Sequence, residues 1–210
     1  MATLDILTTA EATRAALQVD TAGDHGEDIA RMNTTVSLRI DELCGPVVNR
    51  TVTEYHDGGV AAIWPRQTPL STVTTLKEWD GSTLTTLTQD TWGTAGNTDG
   101  YLIEQSGSYA HDARIYRRSS GSNTHFVSGH RSIELVYVAG RAATTADVSA
   151  KFKEAAGEIL RRLWDREASA WSRASDPFDQ GLQPTSRFFN AVDHVISELL
   201  RDEMKPPAVA

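Results

Sequence analysis

The sequence predicts an α+β fold: an N- and C-terminal helical bundle with a central small antiparallel β domain and a long loop. Three observations carry this reading. Over residues 27–44, 148–163 and 188–200 apolar residues recur at spacings of three and four, which at about 100° per residue gathers them on one side of a helix. Between these segments, residues 47–140 are rich in Thr, Val and Ile and alternate in polarity as half-buried strands do. Glycine and proline mark the borders, with Gly45-Pro46 closing the first helical part and Gly140 closing the β part.

In "LTTAEATRAALQV" Thr8 stands three residues before Glu11 as a capping box, which opens a short helix ending before Asp20. "TAGDHG" reads as a loop. From Glu27 to Cys44, Ile29, Met32, Val36, Ile40 and Leu43 form a core-facing stripe, and Leu38 falls on the opposite side as either a lone exposed leucine or a subunit contact. Gly45 accepts the left-handed conformation past the last turn and Pro46 cannot continue the helix.

Two strands follow, "VVNRTVTEY" and "GVAAIW", which "HDGG" joins as a hairpin. "PLSTVTTLKEWDGSTLTTLT" is a second hairpin turning at Asp80-Gly81. Residues 91–128 form the long loop, with short strand candidates at Tyr101–Glu104 and Arg114–Arg117; loops of this length are commonly functional or mobile. "SIELVYVAG" is the clearest strand and ends the β part at Gly140.

Asp147 or Ser149 caps the next helix, which runs to Arg173. Val148, Phe152, Ala155, Ile159 and Leu163 make one stripe, and Leu160, Trp164 and Trp171 lie about 100° round from it. That arc is wider than one packing partner needs, so this helix is either buried on two sides by its own domain or faces a neighbouring subunit. "SDPFDQGLQP" breaks it. "TSRFFNAVDHVISELLRDE" then makes an amphipathic helix, with Phe188, Val192, Val195 and Leu199 on one stripe and Phe189, Ile196 and Leu200 beside it, before a disordered tail. The expected parts are therefore 1–45, 46–140, 141–174, 184–204 and the tail 205–210.

The formal net charge is −8. Residues 1–45 hold 8 acids and 3 bases, 46–140 hold 9 and 7, and 141–210 hold 11 and 10, so no segment is basic and nucleic acid as a gripped ligand is disfavoured. One cysteine, Cys44, cannot form an intramolecular disulfide, which suits a reducing cytoplasm. No signal-like N-terminus and no run of about eighteen apolar residues point to secretion or a membrane span.

The cluster Glu54, His56, Asp57 in "EYHDGG" invites a catalytic or metal reading, but turn chemistry accounts for Asp57-Gly58-Gly59, and no histidine pair has the spacing of a zinc site. Neither a Gly-x-Ser-x-Gly elbow nor a phosphate-binding glycine loop is present. No cofactor is expected. The enzyme alternative is a hydrolase with its site in the 91–128 loop, which requires His111, Asp112 and His125 to converge.

The order of the segments closely resembles that of the head-tail connector (adaptor) proteins of long-tailed bacteriophages. The matching positions are Ala10-Glu11-Ala12, Cys44-Gly45-Pro46, Asp57-Gly58, Pro65 with Pro69-Leu70-Ser71-Thr72-Val73, Val138-Ala139-Gly140, and Phe152-Lys153-Glu154-Ala155 through Trp164-Asp165-Arg166-Glu167. The likeness spans residues 8–169, and the helix after residue 184 has only a loose counterpart. The resemblance implies a structural virion protein and not an enzyme, located in the neck after assembly in the host cytoplasm. It implies a ring of about twelve copies, whose heterologous contacts use two different patches on every subunit. Its partners are then the portal protein above and a downstream neck or tail-completion protein below, with DNA passing through the channel without specific binding and no membrane involved. An acidic chain suits such a channel. On this reading Leu38, Leu160, Trp164 and Trp171 are candidates for the subunit interface, and Phe188, Phe189, Val192 and Ile196 for docking to the portal or neck by helix-in-groove recognition. A related alternative is another neck or tail-terminator ring protein.

Overall fold

The computed structural model describes residues 4–19, 23–91, 93, 96–105, 113–174 and 186–204, with side chains of the last two helices described up to residue 167 and from residue 193. Among these residues there are four α-helices, α1 (Thr9–Leu17), α2 (Gly26–Cys44), α3 (Ala150–Ala174) and α4 (Ser186–Leu199). Eight strands lie between α2 and α3: β1 (Arg50–His56), β2 (Ala62–Ile63), β3 (Leu70–Trp79), β4 (Leu84–Gln89), β5 (Gly100–Gln105), β6 (Ala113–Ser119), β7 (Ser122–Asn123) and β8 (Ile133–Ala139). The chain divides into two compact units, residues 1–48 with 142–210, and residues 49–141.

In the helical unit, local chemistry sets the helix ends. The Thr8 main-chain N–H donates to Glu11 Oε2 at 2.8 Å and Thr8 Oγ1 accepts from the Glu11 N–H at 3.3 Å, so the capping box opens α1. At the end of α2 the Gly45 N–H reaches the Asp41 carbonyl at 2.9 Å with φ at 81°, and Asp41 Oδ1 accepts from the Val47 N–H at 3.0 Å. Ile29, Met32, Val36 and Ile40 of α2 pack with Phe152, Ala155 and Ile159 of α3 and with Val195 and Ile196 of α4. Arg39 clamps α4 from outside, with its guanidinium bonded to both Asp193 carboxylate oxygens at 2.8 Å.

This is not the expected bundle with a small β insert. The sheet has eight strands and is mixed, and the core of the helical unit is completed by the irregular segments that carry Ile6, Leu7, Val47, Val48 and Ala142. The physical reason is that α1 is only 9 residues long, too short to line a bundle by itself. The preceding chain substitutes for a longer helix: the Ile6 N–H bonds Ser37 Oγ at 2.9 Å, and Asn33 Nδ2 bonds the Leu7 carbonyl at 2.9 Å. The broad class, α+β, is retained.

In the β unit the strand order is β1-β8-β3-β4-β5-β6-β2, with β7 paired to β6. All pairings are antiparallel except the short β4–β5 contact, Thr88 opposite Gly100 and Gln89 opposite Tyr101. The expected hairpin at Asp80-Gly81 is present: Trp79 faces Leu84, and Asp80 Oδ1 accepts from the Thr83 N–H at 2.6 Å and the Ser82 N–H at 2.8 Å. The 91–128 segment is not the expected long loop, because it contributes β5, β6 and β7. The strand candidates at Tyr101–Glu104 and Arg114–Arg117 lie within β5 and β6, whereas β7 and the place of these strands in the sheet were not legible, because Gly, Ser and Asn dilute the alternation and some partner strands are far away in sequence.

The expected β1–β2 hairpin is also corrected. These strands stand at opposite ends of the order although only residues 57–61 separate them, so the sheet must curl back on itself around Leu76, Leu87, Ile115, Phe126, Ile133, Leu135 and Tyr137. "HDGG" serves this return. The Gly58 N–H bonds the Gly129 carbonyl at 2.9 Å and the Gly59 N–H bonds the Phe126 carbonyl at 3.0 Å. A Cβ at Gly58 would lie 1.6 Å from the Val127 carbonyl oxygen, so glycine is required there for close approach.

The two glycines therefore predict different costs. Gly58→Ala is expected to destabilise the β unit by more than about 2 kcal/mol. Gly81→Ala meets no atom within 4 Å and carries only the strain of φ at 96°, so about 1 kcal/mol is expected. Urea unfolding of the two variants checks the order, and an equal or reversed loss contradicts it.

Candidate interaction surfaces and buried carboxylates

The residues of "EYHDGG" are brought together, but as a structural tie. Alternation along β1 turns Glu54 inward, where it is 7% exposed, and Tyr55 outward. Glu54 Oε1 accepts from the Tyr137 hydroxyl at 2.6 Å, both carboxylate oxygens accept from the Arg66 N–H at 3.2 and 3.1 Å, and His56 Nε2 lies 3.1 Å from Oε2. The Tyr137 hydroxyl in turn accepts from the Gln67 N–H at 2.9 Å. Burial first, and then the Glu54 carboxylate, push the Tyr137 phenol far above its ordinary range and keep it protonated as a donor. Both Glu54 carboxylate oxygens thus already accept hydrogen bonds from the chain itself.

Glu78 makes a second tie. At 2% exposure it accepts from Arg117 Nε at 2.9 Å and from the Val127 N–H at 3.0 Å. Arg117 also bonds the Gly100 carbonyl at 3.2 Å and Asp99 Oδ1 at 3.1 Å, joining β3, β5 and β6. Asp57 is different, being exposed. It accepts from the Arg131 N–H at 2.7 Å and pairs with His130 Nδ1 at 2.9 Å, and the Arg131 bond chiefly holds its carboxyl below the usual range. Asp80 is lowered likewise, first by the Thr83 N–H and then by Ser82. Among the described residues no three His, Cys, Asp or Glu side chains gather as metal ligands.

Of the residues expected at a subunit interface, Leu38 is 50% exposed on α2. Leu160 is fully buried and Trp164 is 8% exposed, with its ring 5.2 Å from His25 in an edge-on contact. Up to residue 167 the apolar arc of α3 is therefore covered by the unit's own helices, since α3 packs against α1, α2 and α4, and this burial removes the reason for assigning Leu160 and Trp164 to a neighbour. Trp171 lies outside the described side chains. Of the docking set, Ile196 is fully buried in the helical core, which withdraws it from any partner, whereas Phe188, Phe189 and Val192 lie outside the described side chains. For the hydrolase alternative, His111 and Asp112 lie outside the described residues and His125 is exposed.

Sequence reasoning missed the outer face of the sheet. Register places Tyr55, Glu134, Lys77 and Thr86 in one row across β1, β8, β3 and β4, and Trp79 beside Leu84 on the same face two residues further along. Trp79 and Leu84 are about half exposed, and Lys77 Nζ meets Glu134 Oε1 at 3.0 Å. The signal was available in the hairpin: counting outward from Asp80-Gly81 puts Trp79 opposite Leu84 on alternate positions with Lys77 and Thr86.

No family model matches the chain, and no curated protein matches it. Among solved structures it is similar to a chain in the neck of an empty gene transfer agent (GTA) particle computed with C6 symmetry. The match covers 98% of this chain and 93% of that one, at 14% identity and a TM-score of 0.54. The likeness is one of fold.

Removing the Glu78 charge leaves the buried Arg117 guanidinium with only the half-exposed Asp99 carboxylate, so Glu78→Gln is expected to cost roughly 3 kcal/mol in urea unfolding. A loss below about 1 kcal/mol would show the pair to be unimportant. For Asp57 and Asp80 the folded pKa is depressed, so their contribution is complete above the unfolded value of about 3.9 and is lost as pH falls through the folded value. Asp80→Asn should therefore be less stable than the parent at pH 6, with the gap closing below about pH 4. Thermal midpoints measured across that range test it, and a gap that widens in acid contradicts the assignment.

Proposed function

We propose that this chain is a structural neck protein of a phage-type particle, a head-to-tail connector that forms a closed ring beneath the portal. It extends the DNA channel and carries the next neck or tail-completion protein. The observation that carries the reading is the end-to-end likeness of fold to a chain in the GTA particle neck, which involves nearly all of both chains and not a shared motif. The order of sequence motifs supports it independently.

The electrostatics suit the role. With a net charge of −8 and no basic segment, a ring of these chains repels the DNA backbone and lets it slide. Glu54, Glu78 and Asp57 are bonded by donors of the chain itself, as expected where carboxylates hold architecture. Of the four residues expected at a subunit interface, Leu38 is the one among the described side chains that stays exposed, on the side of α2 away from the core.

Cryo-electron microscopy of the purified protein, alone and mixed with the portal of the same particle, tests this. Closed rings coaxial with the portal are expected in the mixture, and protein that remains monomeric in both samples sinks the reading. Leu38→Asp is expected to change stability by no more than about 0.5 kcal/mol while lowering the yield of rings. Unaltered ring yield removes Leu38 from the interface.

A further inference from the structure

We propose that two sheet edges of this chain bind each other between copies: β1 of one copy takes β4 of the next as its neighbouring strand, with Tyr55 opposite Leu84 and Thr53 opposite Thr86. This pairing rests on the connector reading, because it supplies the two different patches by which every subunit of a ring meets its neighbours.

Hydrogen bonds identify the open groups. At the hairpin the Asp80 N–H bonds the Thr83 carbonyl at 3.2 Å, and main-chain groups alternate in direction along an antiparallel pair. Thr85 and Leu87 therefore turn theirs toward β3, whereas Leu84, Thr86, Thr88 and Asp90 turn theirs away. The outward N–H groups of Thr88 and Asp90 are taken by the Asp99 and Tyr101 carbonyls, each at 2.8 Å. Among the described residues those of Leu84 and Thr86 have no such partner.

The same reasoning applies on the other flank. The Trp79 N–H bonds the Ser132 carbonyl at 2.8 Å, so Ser132 and Glu134 face β3, and Ile133, Leu135 and Tyr137 face β1. Their partners on β1 are His56, Glu54 and Val52. The main-chain groups of Thr51, Thr53 and Tyr55 are left pointing to the open side, where none has a partner among the described residues. Sheet edges are usually blunted by proline, lysine, a bulge or extreme shortness. β1 has 7 residues with no register shift, and neither it nor Leu84–Leu87 contains proline or lysine.

Direction, charge and apolar surface all select a second copy as the occupant. The order β1-β8-β3-β4 is antiparallel throughout, so β1 and β4 run in opposite senses, and a head-to-tail repeat brings β4 of the next copy antiparallel to β1. The cleft beside β1, about 430 Å³ and lined by residues 53–57, Arg66, His130 and Arg131, already balances its two arginines with Glu54 and Asp57. It therefore suits a neutral strand, and Leu84-Thr85-Thr86-Leu87 carries no charge. In the stated register each facing pair exchanges both of its main-chain bonds, and directly opposite residues share a face of the sheet. Tyr55 of one copy then extends the outer-face row of Leu84 and Trp79 of the next, side chains that are 41%, 54% and 46% exposed in the single chain. Two-fold pairing of β1 with β1 would instead close as a dimer and leave Leu84, Thr86 and Trp79 uncovered.

The test uses the full-length chain with a cysteine introduced at either of two facing positions, Thr53→Cys or Thr86→Cys. Residues in a hydrogen-bonded antiparallel pair have Cα atoms about 5.5 Å apart, within reach of a disulfide. The natural Cys44 is buried. Under mild oxidation a mixture of the two variants is expected to give a mixed disulfide dimer that neither gives alone, and the double variant a ladder of multimers on non-reducing gels. Thr86→Pro removes an N–H that faces away from β3, so it leaves the ladder to β3 intact. Its thermal midpoint is expected to match the parent's while rings are lost in electron micrographs, and Thr86→Lys is expected to act alike. Thr53→Cys chains that cross-link to one another overturn the proposal in favour of β1 pairing with β1, and absence of the mixed disulfide overturns it outright. Rings that persist in both Thr86 variants sink the edge pairing and leave the connector reading standing. A mixed disulfide in protein that never forms rings with the portal supports the edge pairing and sinks the connector reading.

Discussion

The pairing of β1 with β8 is the constraint on which the rest of the structure depends. These are the strands by which the chain enters and leaves the β unit, and their register runs from Arg50 opposite Ala139 onward. Just outside the pair, Val48 and Ala142 form an isolated parallel bridge, with the Ala142 N–H on the Val47 carbonyl at 2.9 Å. With entry and exit held side by side, a long insertion closes at little entropic cost to the helical unit. That unit is discontinuous in sequence, and its core needs Phe152, Ile159 and Ile196 to return to Ile29, Val36 and Ile40 after the whole sheet has been traversed.

The same arrangement explains why the polar residues of the β unit are so well bonded. A sheet that curls until its ends come near each other must bury whatever faces inward, and here that includes Glu54 and Glu78. A buried carboxylate is tolerated only when its lone pairs are taken. Glu54 takes the Tyr137 hydroxyl and the Arg66 N–H, and Glu78 takes Arg117 and the Val127 N–H. Residues that resemble acid–base machinery in a linear sequence thus become cross-links between strands.

The large apolar side chains that stay exposed include Trp79 and Leu84 on the outer sheet face and Leu38 on α2. The likeness to a chain of a particle neck is one of fold.

Much of the local structure was legible in the sequence, because it depends on neighbours a few residues away. Thr8 and Glu11 specify a capping box, Gly45-Pro46 stops α2, Asp80-Gly81 turns a hairpin, and the stripe of Ile29, Met32, Val36 and Ile40 marks a buried face. The sequence by itself also determined that Leu160, Trp164 and Ile196 are apolar and share a side of their helices. Only the tertiary structure decided what covers them, and it covers them with the chain's own core. It alone decided that "HDGG" leads away from β1 instead of folding back on it, and that the strand candidates of the expected long loop become β5 and β6 of the sheet. The reason is common to these cases: periodicity reports which face of an element is apolar, whereas pairing and burial are set by partners distant in sequence, such as Gly129 for Gly58 and Arg117 for Glu78.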